Sequence, residues 1–212
     1  MSRFGTAKKM VRQTTSANEP KPDEELYESA VRALASRARS TAEIRLLLLK
    51  KKGGKQQIEA VIARLRENGY LDDARFARYF ASSRLENDLH GKMRVRRDLK
   101  ARGLNEDLAQ QAIRSAFQGV NEGELLRRYL KRKVNLSHGL AKPAAVASLY
   151  RRLLHDGFSS DTIIRELNRI RQSPLAAKFQ GHSAGKSAAG PMDWDELLDS
   201  LSEVSQEEAE LD

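Results

Sequence analysis

The chain has 212 residues, 40% of them apolar and 32% charged, and sets 38 Lys and Arg against 29 Asp and Glu for a net charge of +9. It has no cysteine, which excludes a disulfide framework and thiolate chemistry. No run of about 18 apolar residues is present, so no membrane span is expected. The N-terminal MSRFGTAKKMVRQ is basic but lacks an apolar segment, so no secretory signal is expected and the cytoplasm is the expected compartment.

The net charge understates an asymmetry. Residues 191–212 hold nine acidic residues and no Lys or Arg; without them 38 basic residues face 20 acidic ones, +18 over residues 1–190. A field of that size attracts polyanions and speeds their encounter. Nucleic acid is the first class of partner it suggests, and the acidic surface of another protein is the second.

In chain order, residues 1–22 are polar and broken by Pro20 and Pro22, and read as a flexible basic arm. From Asp23 to about Gln172 apolar residues recur at three- and four-residue spacing, which predicts helices and no sheet. Helix ends follow from cap chemistry. Ser40 with Glu43 forms a capping box, while Leu71-Asp72 with Phe76 and Phe158-Ser159 with Ile163 read as staples around an N-cap. Gly53, Gly69, Gly103 and Gly157 stand where a helix stops in a left-handed residue. The expected helices cover about 23–37, 40–51, 56–68, 72–88, 91–102, 105–117, 121–135, 142–155 and 159–171. Residues 173–190 are rich in Gly, Ser and Ala and read as a linker before the acidic tail at 191–212.

Gly53, Gly103 and Gly157 also define a period. Four residues before each lies Leu49, Leu99 or Leu153, and twenty-three before those lies Leu26, Phe76 or Leu130. Ala30, Phe80 and Val134 follow four residues on. The expected fold is therefore all-α, three tandem three-helix repeats (23–70, 71–118 and 119–172) in an elongated, curved array.

The basic residues cluster. Lys50, Lys51, Lys52 and Lys55 crowd the end of the second helix. Lys92, Arg94, Arg96, Arg97, Lys100 and Arg102 load the fifth, Arg127, Arg128, Lys131, Arg132 and Lys133 the seventh, and Arg151 and Arg152 the eighth. They have the character of phosphate or carboxylate binders and form no base-reading set. Lysines at a helix C-terminus also complement its dipole, a structural reason for Lys50, Lys51 and Lys52. Tyr27, Phe76, Phe80, Phe117 and Phe158 fall on apolar faces, whereas Tyr79, Tyr129 and Tyr150 are candidates for the surface, beside arginines. Charge reversal at Arg94, Arg96 and Arg97 is expected to weaken binding while sparing helicity.

Catalytic signals are missing. GHSAGKS at 181–187 is one residue short of a phosphate-binding loop and follows no strand. Asp72-Asp73 is accounted for by a cap and a first-turn carboxylate, and His90, His138, His155 and His182 show no ligand spacing. The chain is expected to be no enzyme, with no cofactor and no metal. In the tail, Trp194, Leu197, Leu198, Leu201 and Val204 share one helical face, with Asp193 and Glu196 as a cap pair. Such a short helix needs a docking surface, and folding back onto the basic stripe in competition with a polyanion is one expectation for it.

Three stretches resemble the RecX regulatory proteins of bacteria: R-x-R-S before an E-I helix at 37–44, GYLDDARFA at 69–77, and G-x-x-x-V-x-x-D-L-x-x-R-G-L at 91–104. The resemblance covers about residues 25–172 and is strongest over the first two repeats. Gly53-Gly54 departs from it, since the family usually has one Gly there. It implies three tandem three-helix repeats, lodging in the groove of the RecA filament, suppression of ATPase and strand exchange, and weak, non-specific binding to single- and double-stranded DNA. The charge-based reading leaves two alternatives beside a monomeric RecA modulator: a DNA-binding helix–turn–helix array acting as a regulator or architectural protein, and a helical scaffold for acidic proteins.

Overall fold

The computed structural model describes residues 23–134, 143–172, 196–198 and 200–201. The basic arm (1–22) and the linker (173–190) lie outside them. All regular structure among the described residues is helical, and the chain divides into two compact units, 1–71 and 72–212.

Unit 1 holds α1 (Asp23–Ser36), α2 (Thr41–Lys50) and α3 (Lys55–Glu67), each packed on the other two. Ser40 caps α2 as a full capping box: its side chain accepts from the Glu43 N–H at 3.1 Å, and Glu43 accepts from the Ser40 N–H at 3.1 Å. Leu26, Ile44, Leu48, Ile58, Val61, Ile62, Leu65 and Leu71 form its core.

The end of α2 corrects the expected register. The left-handed residue is Lys52 (φ 62), and Gly53 is not left-handed. The Lys52 N–H donates to the Leu49 carbonyl at 2.9 Å and the Gly53 N–H to the Leu48 carbonyl at 3.1 Å. The same pair of bonds closes the helices before Gly103-Leu104 and Gly157-Phe158. Lys52, Gly103 and Gly157 are therefore equivalent, and Leu48, Leu99 and Leu153 are their shared buried position. Leu49, expected there, is 51% exposed. Gly53 serves close packing instead, since a Cβ on it would meet Leu26 and Ile58 side-chain atoms at 3.1 Å. Gly54 is the N-cap of α3, so both glycines of the pair have a place.

A left-handed lysine costs about 1–2 kcal/mol, partly offset by the greater unfolded-state freedom of glycine. Lys52→Gly should thus raise stability by about 0.5–1 kcal/mol. Urea unfolding measures it; a lowered midpoint would contradict the assignment of strain.

Unit 2 holds α4 (Asp73–Ser83), α5 (Lys92–Ala101), α6 (Glu106–Ala116), α7 (Glu122–Lys133), α8 (Pro143–His155) and α9 (Ser160–Gln172). α4, α5 and α6 pack on one another, and α7 and α8 both pack on α9. Asp72, Asn105 and Asn121 cap α4, α6 and α7 through their side-chain oxygens. The stretches 71–118 and 119–172, expected as separate repeats, both contribute to a single core, from Phe76 in the first to Leu167 in the second, which Leu198 joins.

The sequence predicts one α-helix over 72–88, but α4 gives way to a π-helical turn at Arg84–Asp88. The wider turn delivers Leu89, which is fully buried although left-handed (φ 59). Its burial among core side chains opposes the backbone cost. Arg84 steadies the turn by pairing with Asp88 at 2.6 Å.

Candidate nucleic-acid interface

Two glycines assemble the basic residues of unit 2. Gly91, just before α5, and Gly157, just after α8, meet backbone to backbone. The Gly91 N–H donates to the Asp156 carbonyl at 2.8 Å and the Met93 N–H to the Gly157 carbonyl at 3.3 Å. A Cβ on Gly91 would lie 2.0 Å from the Gly157 oxygen, and one on Gly157 would lie 2.2 Å from the Arg94 nitrogen. The approach therefore excludes any side chain at either position.

This crossing sets the basic side chains of α5 against the last turn of α8. Arg94 reaches the His155 ring at 2.9 Å and pairs with Asp98 at 3.1 Å, and Arg97 donates to the His155 carbonyl. On the same turn of α8, Arg152 lies over the Tyr129 ring at 5.8 Å and donates to the Lys133 carbonyl at 3.4 Å. The last turn of α8 thus links the basic residues of α5 to those at the end of α7. Tyr129 donates its hydroxyl to Asp156 beneath them. Burial, followed by that hydrogen bond, holds the Tyr129 pKa above its ordinary value, so the phenol stays protonated. Burial pushes the His90 imidazole below its ordinary value, against the opposing influence of Asp88, Asp156 and Asp98.

The expected site residues divide by what they already do. Arg96 lies 2.7 Å from Glu106, with Lys100 3.9 Å from the same carboxylate. The hydrogen bond from Gln110, and after it that from Arg96, draws the Glu106 pKa down. Arg102 and Arg84 flank the Phe80 ring, and Lys92 lies 6.0 Å from the Phe117 ring. Arg127 pairs with the buried Glu166 and ties α7 to α9. Arg128, Lys131, Arg132, Lys133 and Arg151 are exposed and make no ion pair among the described residues. Lys50, Lys51, Lys52 and Lys55 belong to unit 1.

Arg94, Arg96 and Arg97 accordingly hold unit 2 together as well as charging its surface. Reversing them would break Arg94–Asp98, Arg96–Glu106 and the Arg97 contact with α8, so such a variant loses packing contacts together with surface charge. Tyr129 and Tyr150 are buried in the core, contrary to the surface placement suggested by their arginine neighbours, whereas Tyr79 is exposed. The Tyr150 hydroxyl reaches Ser160 at 2.7 Å.

The other end of α7 makes a second clasp. Ser159 stands before α9, whose third residue is Thr162, so no Glu is available there for a local capping box. Glu122, from α7, accepts from the Ser159 N–H at 3.0 Å and from the Ser159 and Thr162 hydroxyls at 2.7 and 2.9 Å. The adjoining cleft, about 350 Å3, is lined by Glu122 and Glu166 as well as Arg127 and Arg165. Its charges are balanced, and it offers no excess to hold an anion.

From the tail, Leu198 is buried in the core of unit 2, with Leu197 and Leu201 packed against it. These described tail residues therefore pack on unit 2; Trp194 and Val204 lie outside the described residues. Among the described residues no helix is long and apolar enough to cross a membrane, and no group of three or more His, Asp or Glu is arranged to hold a metal.

The family description "RecX, second three-helix domain" matches residues 72–113. The chain is 32% identical to a "Regulatory protein RecX" of Deinococcus radiodurans, over 71% of this chain and 74% of that one. It is 30% identical to a protein of the same description from Lactobacillus delbrueckii subsp. bulgaricus, over 56% of this chain, and spans half of that relative's length. The crystal structure of RecX from Lactobacillus salivarius aligns with a TM-score of 0.53 at 20% identity, covering 70% of this chain and 97% of that one. At that identity the likeness speaks for the fold.

Proposed function

We propose that this chain, which belongs to the RecX family of regulatory proteins, modulates the RecA recombinase by binding in the groove of the RecA–DNA filament and suppressing ATPase and strand exchange. The observation that carries the reading is the basic surface that unit 2 builds from α5, α7 and α8. Arg94 and Arg97 meet His155 there, and Arg152 reaches Lys133. A DNA-containing filament is a polyanion, and a surface rich in Lys and Arg side chains binds one through phosphate contacts and counterion release. Such binding has little sequence preference and a steep dependence on salt. The protein acts by occupancy, as a cytoplasmic monomer, and needs no cofactor. Weak, non-specific affinity for naked single- and double-stranded DNA follows from the same charge.

The test is RecA's single-strand-dependent ATPase, followed as this protein is added at fixed RecA and DNA. Inhibition should become strong near equimolar amounts. An ATPase rate that stays level through that range would remove the reading.

A further inference from the structure

Helix α2 of unit 1 is apolar on two sides. Ile44 and Leu48 are buried in the core with Leu47 packed against it, whereas Leu46 and Leu49, three residues apart on the outer face, are 59% and 51% exposed. A single exposed leucine is ordinary. A pair on one face is more informative because the corrected register places it. With Leu48 equivalent to Leu99, Leu46 and Leu49 occupy the positions that α5 fills with Arg97 and Lys100. The outward face of the middle helix is thus basic in the first half of unit 2 and apolar in unit 1.

The charge around the pair is one-sided. Of the three acidic residues on α2 and α3, Glu43 is paired with Arg37 at 2.9 Å and Glu59 with Arg45 at 2.8 Å, while Glu67 ends α3 next to Arg66, which reaches Thr41 at the start of α2, the end away from Leu49. The hydrogen bond from Arg45 holds the Glu59 pKa below its usual value. Lys50 and Lys51 follow directly on Leu49. An apolar centre with a charged rim is the composition of a protein–protein contact. Phosphate and sugar are contacted by cationic and polar side chains, to which leucine adds nothing.

We infer that Leu46 and Leu49, rimmed by Lys50 and Lys51, are a docking surface for an acidic protein surface with an apolar centre, borne by the protein of the filament and not by its DNA. This rests on the filament-binding function proposed above and divides its labour: unit 1 contacts protein through α2, and unit 2 contacts nucleic acid through its basic surface.

The experiment uses the full chain and its Leu46→Ser/Leu49→Ser variant, with circular dichroism as the fold control. Each is titrated against RecA filaments on a labelled single-stranded oligonucleotide and against the same oligonucleotide bare. The variant should bind filaments about tenfold or more weakly and bare DNA within about twofold of the parent. A second variant, Leu46→Arg/Leu49→Lys, installs the side chains of α5 and keeps helix-forming residues. It should also lose filament affinity while holding or gaining affinity for bare DNA. Equal losses on filament and bare DNA would make the pair a nucleic-acid contact and overturn the inference. Undiminished filament binding by both variants would overturn it as well. A parent that dimerises in sedimentation, with monomeric variants, would assign the pair to a second copy of the chain and overturn it too. Failure of the parent itself to bind filaments would remove the underlying function along with the inference, and is read from the parent alone.

Discussion

Gly91→Ala should destabilise unit 2 by about 3 kcal/mol or more, at the upper end of what overpacking costs. The reason is that the added methyl would meet backbone. It would lie 2.0 Å from the Gly157 oxygen and 2.7 Å from the Phe158 nitrogen, and no rotamer change moves those atoms aside. Relief requires parting α5 from the α8–α9 turn. That breaks the hydrogen bonds from Gly91 to Asp156 and from Met93 to Gly157, and carries Arg94 and Arg97 away from His155. Thermal or urea unfolding measures the loss directly. A variant within about 0.5 kcal/mol of the parent, the usual range of a surface substitution, would show that the crossing is not as close as described.

The second large effect is on binding. Lys131→Glu, Arg132→Glu and Arg151→Glu, combined in one variant, should weaken affinity for a single-stranded oligonucleotide about a hundredfold at low salt. The slope of log affinity against log salt should lose about two units, three phosphate contacts at roughly 0.7 each. These three residues are suitable because they are exposed and make no ion pair among the described residues, so the melting temperature should hold. Anisotropy titrations across a salt series read both quantities. An unchanged slope would place the phosphate contacts elsewhere. The contrast with Arg94, Arg96 and Arg97 is instructive: reversing those would lower affinity and stability together and leave the cause undetermined.

Helix positions were legible because their signals are local. The Ser40–Glu43 box, the Asp72 cap and the left-handed Gly69, Gly103 and Gly157 each act within a few residues, and the helices begin and end beside them. The one-residue slip in unit 1 has a physical origin. Glycine is the cheapest left-handed residue, so Gly53 looked like the stop, yet the chain places Lys52 there and uses the small Gly53 to pack against Leu26 and Ile58. The π-turn at 84–88 left no sequence signal, since an apolar spacing shifted by one residue reads as ordinary scatter.

The basic residues were legible as a set but not by role. Composition marks Arg96 and Lys131 alike; only contact with Glu106 separates the first from the second. Those contacts join residues far apart in sequence, such as Arg94 with His155 or Arg127 with Glu166, and no periodicity encodes them. The sequence around Gly157 signals its left-handed backbone, whereas its fit against Gly91 depends on a residue far away in the chain. Tyr129 and Tyr150 each adjoin an arginine in sequence, which suggests the surface, while the helical face that carries them turns inward.

The glycine crossing also imposes an order on the birth of the molecule. A ribosome releases α4, α5 and α6 with their own caps and much of their own packing, yet Gly91 must wait for a partner 66 residues downstream. Glu122 likewise waits for Ser159. Until the α8–α9 turn has emerged, a nascent chain already carries the arginines of α5 without the α8 turn that joins them to those of α7. The arginines of α5 are therefore made first, and they gain their contacts with the last turn of α8 only when the second glycine closes on the first.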